Sequence, residues 1–313
     1  MTTDTVVAPT IEPFPSVPAS TFARLRGRVP RLSVVFALVW LVGLAFMAIF
    51  ADYLPFIRGY AQRVDGATGF GYGPGADFWF GSDQLGRDVF ARCIYGARIS
   101  MIVATASIVT GIIVGGTLGL VAGFRKGAID RTISILTDSL LALPALVMAI
   151  LVVGRFDALR NNNSATFGWL SRTWSIVFVL SLLSIAPLAR IVRAQTLSLS
   201  QREFVLASRS LGAKTSRVIF SEILPNLVPA MVSVAFTGIA ILLVAEGGLA
   251  FLGYSVQAPT PTWGYLINES RRRIEQAWWA TIMPCLMMFV TVLAFNLLGD
   301  RVARRFDIRE ATL

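Results

Sequence analysis

Histidine does not occur in this chain of 313 residues. Its absence excludes a Ser–His hydrolase, a histidine-ligated metal and a histidine proton relay. Cysteine is almost as scarce. Cys93 and Cys285 stand alone, at a spacing that pairs with nothing, so free thiols are expected. Lysine occurs only at 126 and 214, so nearly all positive charge is arginine. Charge of either sign is thin, at 15 % of residues, where a soluble domain carries about 25 %. The phosphate-cradling pattern G-x-x-x-x-G-K-[ST] is missing as well, so the chain is not expected to be an ATPase or any other enzyme, nor to hold a cofactor or metal.

Apolar residues make up 55 % of the sequence, and they fall in blocks. About 20 uncharged residues at a rise of 1.5 Å each cross a hydrocarbon core of about 30 Å. Six blocks meet that length: Leu32–Ala51, Ile99–Phe124, Thr132–Gly154, Thr173–Ala189, Ile223–Ala245 and Gln276–Gly299. Only helices satisfy their own backbone inside lipid, so the expectation is an all-α membrane protein with six transmembrane helices. The first block is too long for the apolar core of a signal peptide and follows a leader ending near residue 31. That basic leader, with Pro9, Pro13, Pro15 and Pro18, reads as disordered.

A net charge of +10 would suit nucleic acid, but the charge is sorted by membrane side. With the N-terminus inside, inner segments hold 17 basic and 8 acidic residues, and outer segments hold 11 and 8. This is the positive-inside pattern, with both termini cytoplasmic, and no nucleic-acid partner is expected. The organisation is then a cytoplasmic leader (1–31), a first helix (32–53), an extracytoplasmic segment (54–98), a five-helix core (99–299) and a cytoplasmic tail (300–313).

Within that frame several features carry chemistry. The outer segment is glycine-rich at Gly66, Gly69, Gly71, Gly73 and Gly75, then turns helical, with Asp83 placed to cap a short helix ending near Arg98. Ser107, Gly111, Gly115, Gly119 and Gly123 recur every four residues, a stripe that suits ordinary packing within one bundle or a sliding interface between subunits. Asp138 and Glu246 are the charged residues in or beside spans, and each is a candidate pore or gate residue; Asp138 could also pair with an arginine near the inner surface. Pro144 is placed to bend the third span, and Glu246 with Gly247–Gly248 to break the chain near the outer face. Six tryptophans (79, 169, 174, 263, 278 and 279) sit in outer loops or outer helix ends, as an aromatic belt would. The outer loop Gln257–Gly264 is stiffened by Pro259 and Pro261 beside Trp263, which suits contact with an external partner.

The inner segment 190–222 is far longer than a connector between helices needs. Phe204, Ala207 and Leu211 repeat at helical spacing, Gly212 stops that helix, and a second short helix near Lys214–Ile223 leads to Pro225. The arrangement fits either docking of a partner or an amphipathic loop lying on the lipid surface.

This segment resembles the inner-loop signature of permease subunits of ATP-binding-cassette (ABC) importers: a Glu, a small pair, a Gly and a later Leu-Pro, here Glu203, Ala207–Ser208, Gly212 and Leu224–Pro225. Ser208 departs from the alanine of the pattern and keeps the site small. The stretches 81–100, 138–150, 249–264 and 293–307 are similar, in order, to the oligopeptide/dipeptide branch, whose motifs nickel and some glycoside importers share. The resemblance implies a type I ABC importer permease fold in the cytoplasmic membrane. It also implies a second homologous permease, two cytoplasmic ATPase subunits that use ATP and Mg, and an extracytoplasmic substrate-binding protein. Glu203, Ala207, Ser208 and Gly212 would couple to the ATPases, and Pro259, Pro261 and Trp263 would face the binding protein. The rival from another class, an ion-gradient-driven secondary transporter, would want more mid-membrane ionisable groups than Asp138 and Glu246, and an internal repeat.

Overall fold

The apolar blocks become helices because nothing else can bury their backbone in lipid. The computed structural model describes residues 31–63, 72–162, 171–256 and 258–310. The expected disordered leader, Gly66, Gly69, Gly71, Trp169 and Gln257 lie outside the described residues. In chain order the main helices are α1 (Arg31–Phe50), α2 (Val89–Arg125), α3 (Gly127–Ala142), α4 (Ala145–Asn162) and α5 (Arg172–Leu199). After these come α6 (Glu203–Ser210), α7 (Thr215–Arg217), a π-helical turn (Val218–Ile223), α8 (Leu224–Phe251), α9 (Trp263–Ser270) and α10 (Trp278–Glu310). The fold is all-α; among the described residues the only β pairing is two isolated bridges, one of them Ser82 with Asp88.

Among the described residues five helices are long and apolar enough to cross a membrane alone, and α3 and α4, bent by 89° at their junction, meet the same test as a pair. Pro144 explains the break: Leu143 before it is extended, with ψ 133°, the conformation that a following proline imposes. The expected third span is therefore two helices meeting at a corner.

Three further boundaries correct the sequence reading. The second span starts at Val89, because Asp88 is the residue that caps it, accepting from the Phe90 N–H at 2.9 Å. Asp83 instead closes the preceding turn, accepting from the Leu85 and Arg87 N–H groups at 2.8 and 2.9 Å. The helix of the fourth span, α5, continues to Leu199, ten residues past the expected end of its apolar block at Ala189. Glu246 does not mark a break: α8 runs through it to Phe251, where Gly253, at φ 83°, ends the helix.

The glycine stripe packs α2 against α5 within this chain. A Cβ on Gly115 would lie 2.5 Å from the Ile185 carbonyl oxygen, and one on Gly119, 2.4 Å from that of Ala189. No side chain fits there, so the stripe is filled by backbone, and Ser107 adds a hydrogen bond to the Val177 carbonyl at 3.1 Å. The bulk of the core lies between α2, α5, α8 and α10. Helix α1 is mostly exposed and leans on α10, where Trp40 donates to Thr291 Oγ1 at 3.0 Å and Ala37 meets Ala294.

Candidate functional site

At 1.5 Å per residue α2 is about 55 Å long, and the candidate functional groups gather at its two ends and along the groove beside α5.

At the C-terminal end of α2 stands α6. A single side chain seats it: Val205 is fully buried against Val192, Leu199, Val218, Ile223 and Leu227. Its other large apolar groups point away, with Phe204 40 %, Leu206 51 % and the following Leu211 88 % exposed. Glu203 and Ala207 are exposed and Ser208 half-buried, so the signature residues lie at or near the surface. Gly212 closes the helix with φ 79°; its N–H donates to the Arg209 carbonyl at 2.9 Å and that of Ala213 to Ser208 at 3.1 Å. These two bonds form the Schellman ending, whose left-handed residue is best met by glycine. Arg209 lies over the Phe124 ring at 5.0 Å, tying α6 to the last turn of α2. The π-helical turn then runs without a loop into α8, so α6 is joined to α5 by a short turn and to α8 through continuous helix. The expected helix–glycine–helix order holds, and the second helix is the root of α8.

At the other end, residues 81–100 carry a charge cluster that the sequence did not single out. Asp83 accepts from Arg87 Nε at 2.7 Å and from Arg92. Glu269, on α9, accepts from Arg87 at 3.1 Å and Arg92 at 2.9 Å. Arg92 is 1 % exposed. The spacing of 83, 87 and 92 was the available signal: it places three charges on one side of a turn and a helix, and a solvated loop has no use for that. Nearby, Asp52 is held below the usual carboxylate range by the Tyr95 hydroxyl and then the Arg98 guanidinium. Burial pushes Asp88 up.

The expectation that Trp263 faces an outside partner is corrected. Its indole is fully buried and donates to the Cys93 carbonyl at 2.9 Å, and its backbone N–H donates to Ser100 Oγ at 3.2 Å. Gly96 lies beside this segment, where a Cβ would make ordinary contact, 3.4 Å from the backbone of Thr262 and Trp263. Pro261 is buried too, which leaves Pro259 as the exposed member of the trio. Glu246 is 1 % exposed and belongs to the same assembly: it accepts from Thr262 Oγ1 at 2.8 Å and from Ser255. It ties both ends of the 252–262 loop to α8.

Asp138 pairs with Arg190 at 2.6 Å, in a cleft between α3 and α5, and so meets the arginine partner expected for it. Cys93 and Cys285 are free. Among the described residues, no three Cys, Asp or Glu side chains gather as metal ligands would.

A bundle of apolar helices with a short surface helix rooted in two of them is the architecture of a multi-pass membrane protein. The match to known families makes this specific. Residues 115–309 fit the family described as binding-protein-dependent transport system inner membrane component, and the chain belongs to that family. It is a multi-pass permease component of the cytoplasmic membrane. Over 271 residues it is 31 % identical to the dipeptide transport system permease protein DppC of Alkalihalophilus pseudofirmus, covering 87 % of this chain and 85 % of that one. It is 36 % identical over 253 residues to the glutathione transport system permease protein GsiD of Pectobacterium atrosepticum, covering 79 % and 80 %. It is 32 % identical over 285 residues to the oligopeptide transport system permease protein OppC of Bacillus subtilis, covering 91 % and 88 %. Among solved structures it shares its fold with a chain of the inward-facing MetNI methionine ABC transporter, at TM-score 0.57 and 15 % identity, over 69 % of this chain and 96 % of that one. The type I importer permease fold expected from the sequence is thus the one found.

Proposed function

We propose that the chain is one half of the pore of an ATP-driven importer of di- and oligopeptides. Its relatives named for dipeptide, oligopeptide and glutathione transport support that substrate class. In this reading a second, homologous permease completes the pore. Two ATPase subunits, which carry the ATP and Mg, dock on α6 from the cytoplasm, and an external binding protein delivers substrate at the 259 loop. Both termini lie on the cytoplasmic side, as the charge distribution favours.

The observation that carries the proposal is the setting of α6. It exposes Phe204, Leu206 and Leu211 and is anchored by Val205 to both α5 and α8. An exposed apolar cluster on a rigid stalk suits a docking surface. Closure of the ATPases would displace α6 as a body, and the displacement would pass to α5 through the turn at 200–202 and to α8 through the π-helical turn. Glu203, Ala207, Ser208 and Gly212 then act in coupling: the small side chains admit close approach, and Gly212 fixes the angle at which α6 leaves the bundle.

The test is ATP-driven uptake of a labelled dipeptide by the reconstituted complex. Gly212→Val places a β-branched residue at φ 79° and should cut uptake at least tenfold while the permease pair still assembles. Normal uptake by that variant removes the coupling role.

A further inference from the structure

Two arginine–aspartate pairs join α3 to α5, and they are built differently. Arg193 grips Asp130 with two nitrogens, one of them at 2.8 Å, and the aspartate side chain is only 18 % exposed. This is the bidentate geometry of a fixed structural pair. Two turns further along α3, Asp138 meets Arg190 through a single contact of 2.6 Å, and both side chains are about 60 % exposed, at 59 % and 61 %. Charged groups within a membrane span are costly against lipid and face a bundle interior or a water-filled cavity. An exposed pair of this kind is suited to a water-filled space, which in the peptide-importer reading is the pore side of the subunit. Around it lies a cleft of about 360 Å³, lined by Ile133, Ser134, Thr137, Asp138, Arg190 and Arg193. That volume is within the range of small-molecule sites.

We infer that this cleft is a transient station on the transport path for a small zwitterion: Asp138 receives an ammonium group and Arg190 a carboxylate. The inference rests on the peptide-importer reading and assigns its substrate-facing charges. The pair that closes the empty cleft is the pair that opens to the passing molecule: each end of a short peptide replaces one partner of the ion pair, so neither charge is left uncompensated. Single-contact geometry makes that exchange easy, and the gripped Asp130–Arg193 pair keeps α3 and α5 together while it happens.

The experiment uses the permease pair with its ATPases, without nucleotide or binding protein, in nanodiscs of phosphatidylglycerol, a lipid with no ammonium group. Saturation-transfer NMR reads the binding of Ala-Ala, N-acetyl-Ala-Ala and Ala-Ala amide. Wild type should prefer Ala-Ala over each capped peptide by about tenfold, the loss of one charge-assisted hydrogen bond. Asp138→Asn should erase only the preference over the N-acetyl peptide, and Arg190→Gln only the preference over the amide. Equal weakening of all three ligands in both variants marks a structural pair and overturns the inference, as does unchanged selectivity. Loss of Ala-Ala binding when phosphatidylethanolamine replaces phosphatidylglycerol assigns the cleft to a lipid headgroup and overturns it too. ATP-driven Ala-Ala uptake by the complete wild-type importer separates the two claims. Uptake without the charge-specific binding sinks the cleft alone; charge-specific binding without uptake sinks the importer reading and the cleft's place on a transport path with it, leaving only a site for a zwitterion.

Discussion

The indole N–H of Trp263 donates to the main-chain carbonyl of Cys93 at 2.9 Å, from a position with no exposed surface. Through this bond the short helix α9 is locked to the first turns of α2. Trp263→Ala removes the largest fully buried side chain and should destabilise the protein by about 3–5 kcal/mol. Trp263→Phe loses the donor and part of the ring, and should fall between the two. Thermal unfolding in nanodiscs checks this; equal stability of all three would mean that the indole is not a core element.

Glu269 closes the buried cluster of Arg87, Arg92 and Asp83. Glu269→Gln leaves two buried guanidinium groups short of a carboxylate, and the expected cost is about 3 kcal/mol. The loss should be visible as a lower unfolding temperature and faster proteolysis of the 81–88 segment. A neutral outcome would show the pair with Asp83 to be sufficient.

Gly119 admits the Ala189 carbonyl where a Cβ would sit at 2.4 Å. Gly119→Ala must push α2 and α5 apart, at a cost of about 1–3 kcal/mol. Gly43→Ala, which meets open space on α1, is the control and should be neutral or stabilising by up to about 1 kcal/mol. The same thermal assay compares them.

Leu211 is 88 % exposed beside Gly212. Leu211→Asp should leave the stability of the chain within about 0.5 kcal/mol, because nothing packs on it here. It should weaken co-purification of the ATPases at least tenfold, since a charge would then enter an apolar contact. Retention of the ATPases at wild-type levels would move the docking surface elsewhere.

The spans were readable because length and apolarity are the only demands that lipid makes: α1 follows its sequence block to within one residue, and α8 and α10 start within two residues of theirs although they run on past the expected ends. Their ends were less readable. Val89–Arg98 and Arg190–Leu199 carry charges that hydropathy treats as span limits, yet in the structure those charges find partners: Arg92 with Glu269, Arg190 with Asp138 and Arg193 with Asp130. Tertiary pairing lets a helix continue where composition alone ends it. Trp263 was misplaced for a related reason. Tryptophan in an outer loop looks like a belt residue, and its burial depends on partners in α2, Cys93 and Ser100, that lie 170 and 163 positions earlier. At α6 the helix and the glycine stop were legible, because a Schellman ending leaves its mark in local sequence, whereas Val205 as the buried seat and the exposure of Phe204, Leu206 and Leu211 were not, because they depend on how α6 packs on α5 and α8.

The most direct test of the account is affinity purification of this chain from its native membrane in mild detergent, with mass spectrometry of the proteins that accompany it. The account predicts a second six-span permease and one or two ATPases, with a binding protein whose bound ligand is a short peptide. Recovery of the chain alone or as a homodimer, with no ATPase even after crosslinking, would contradict it.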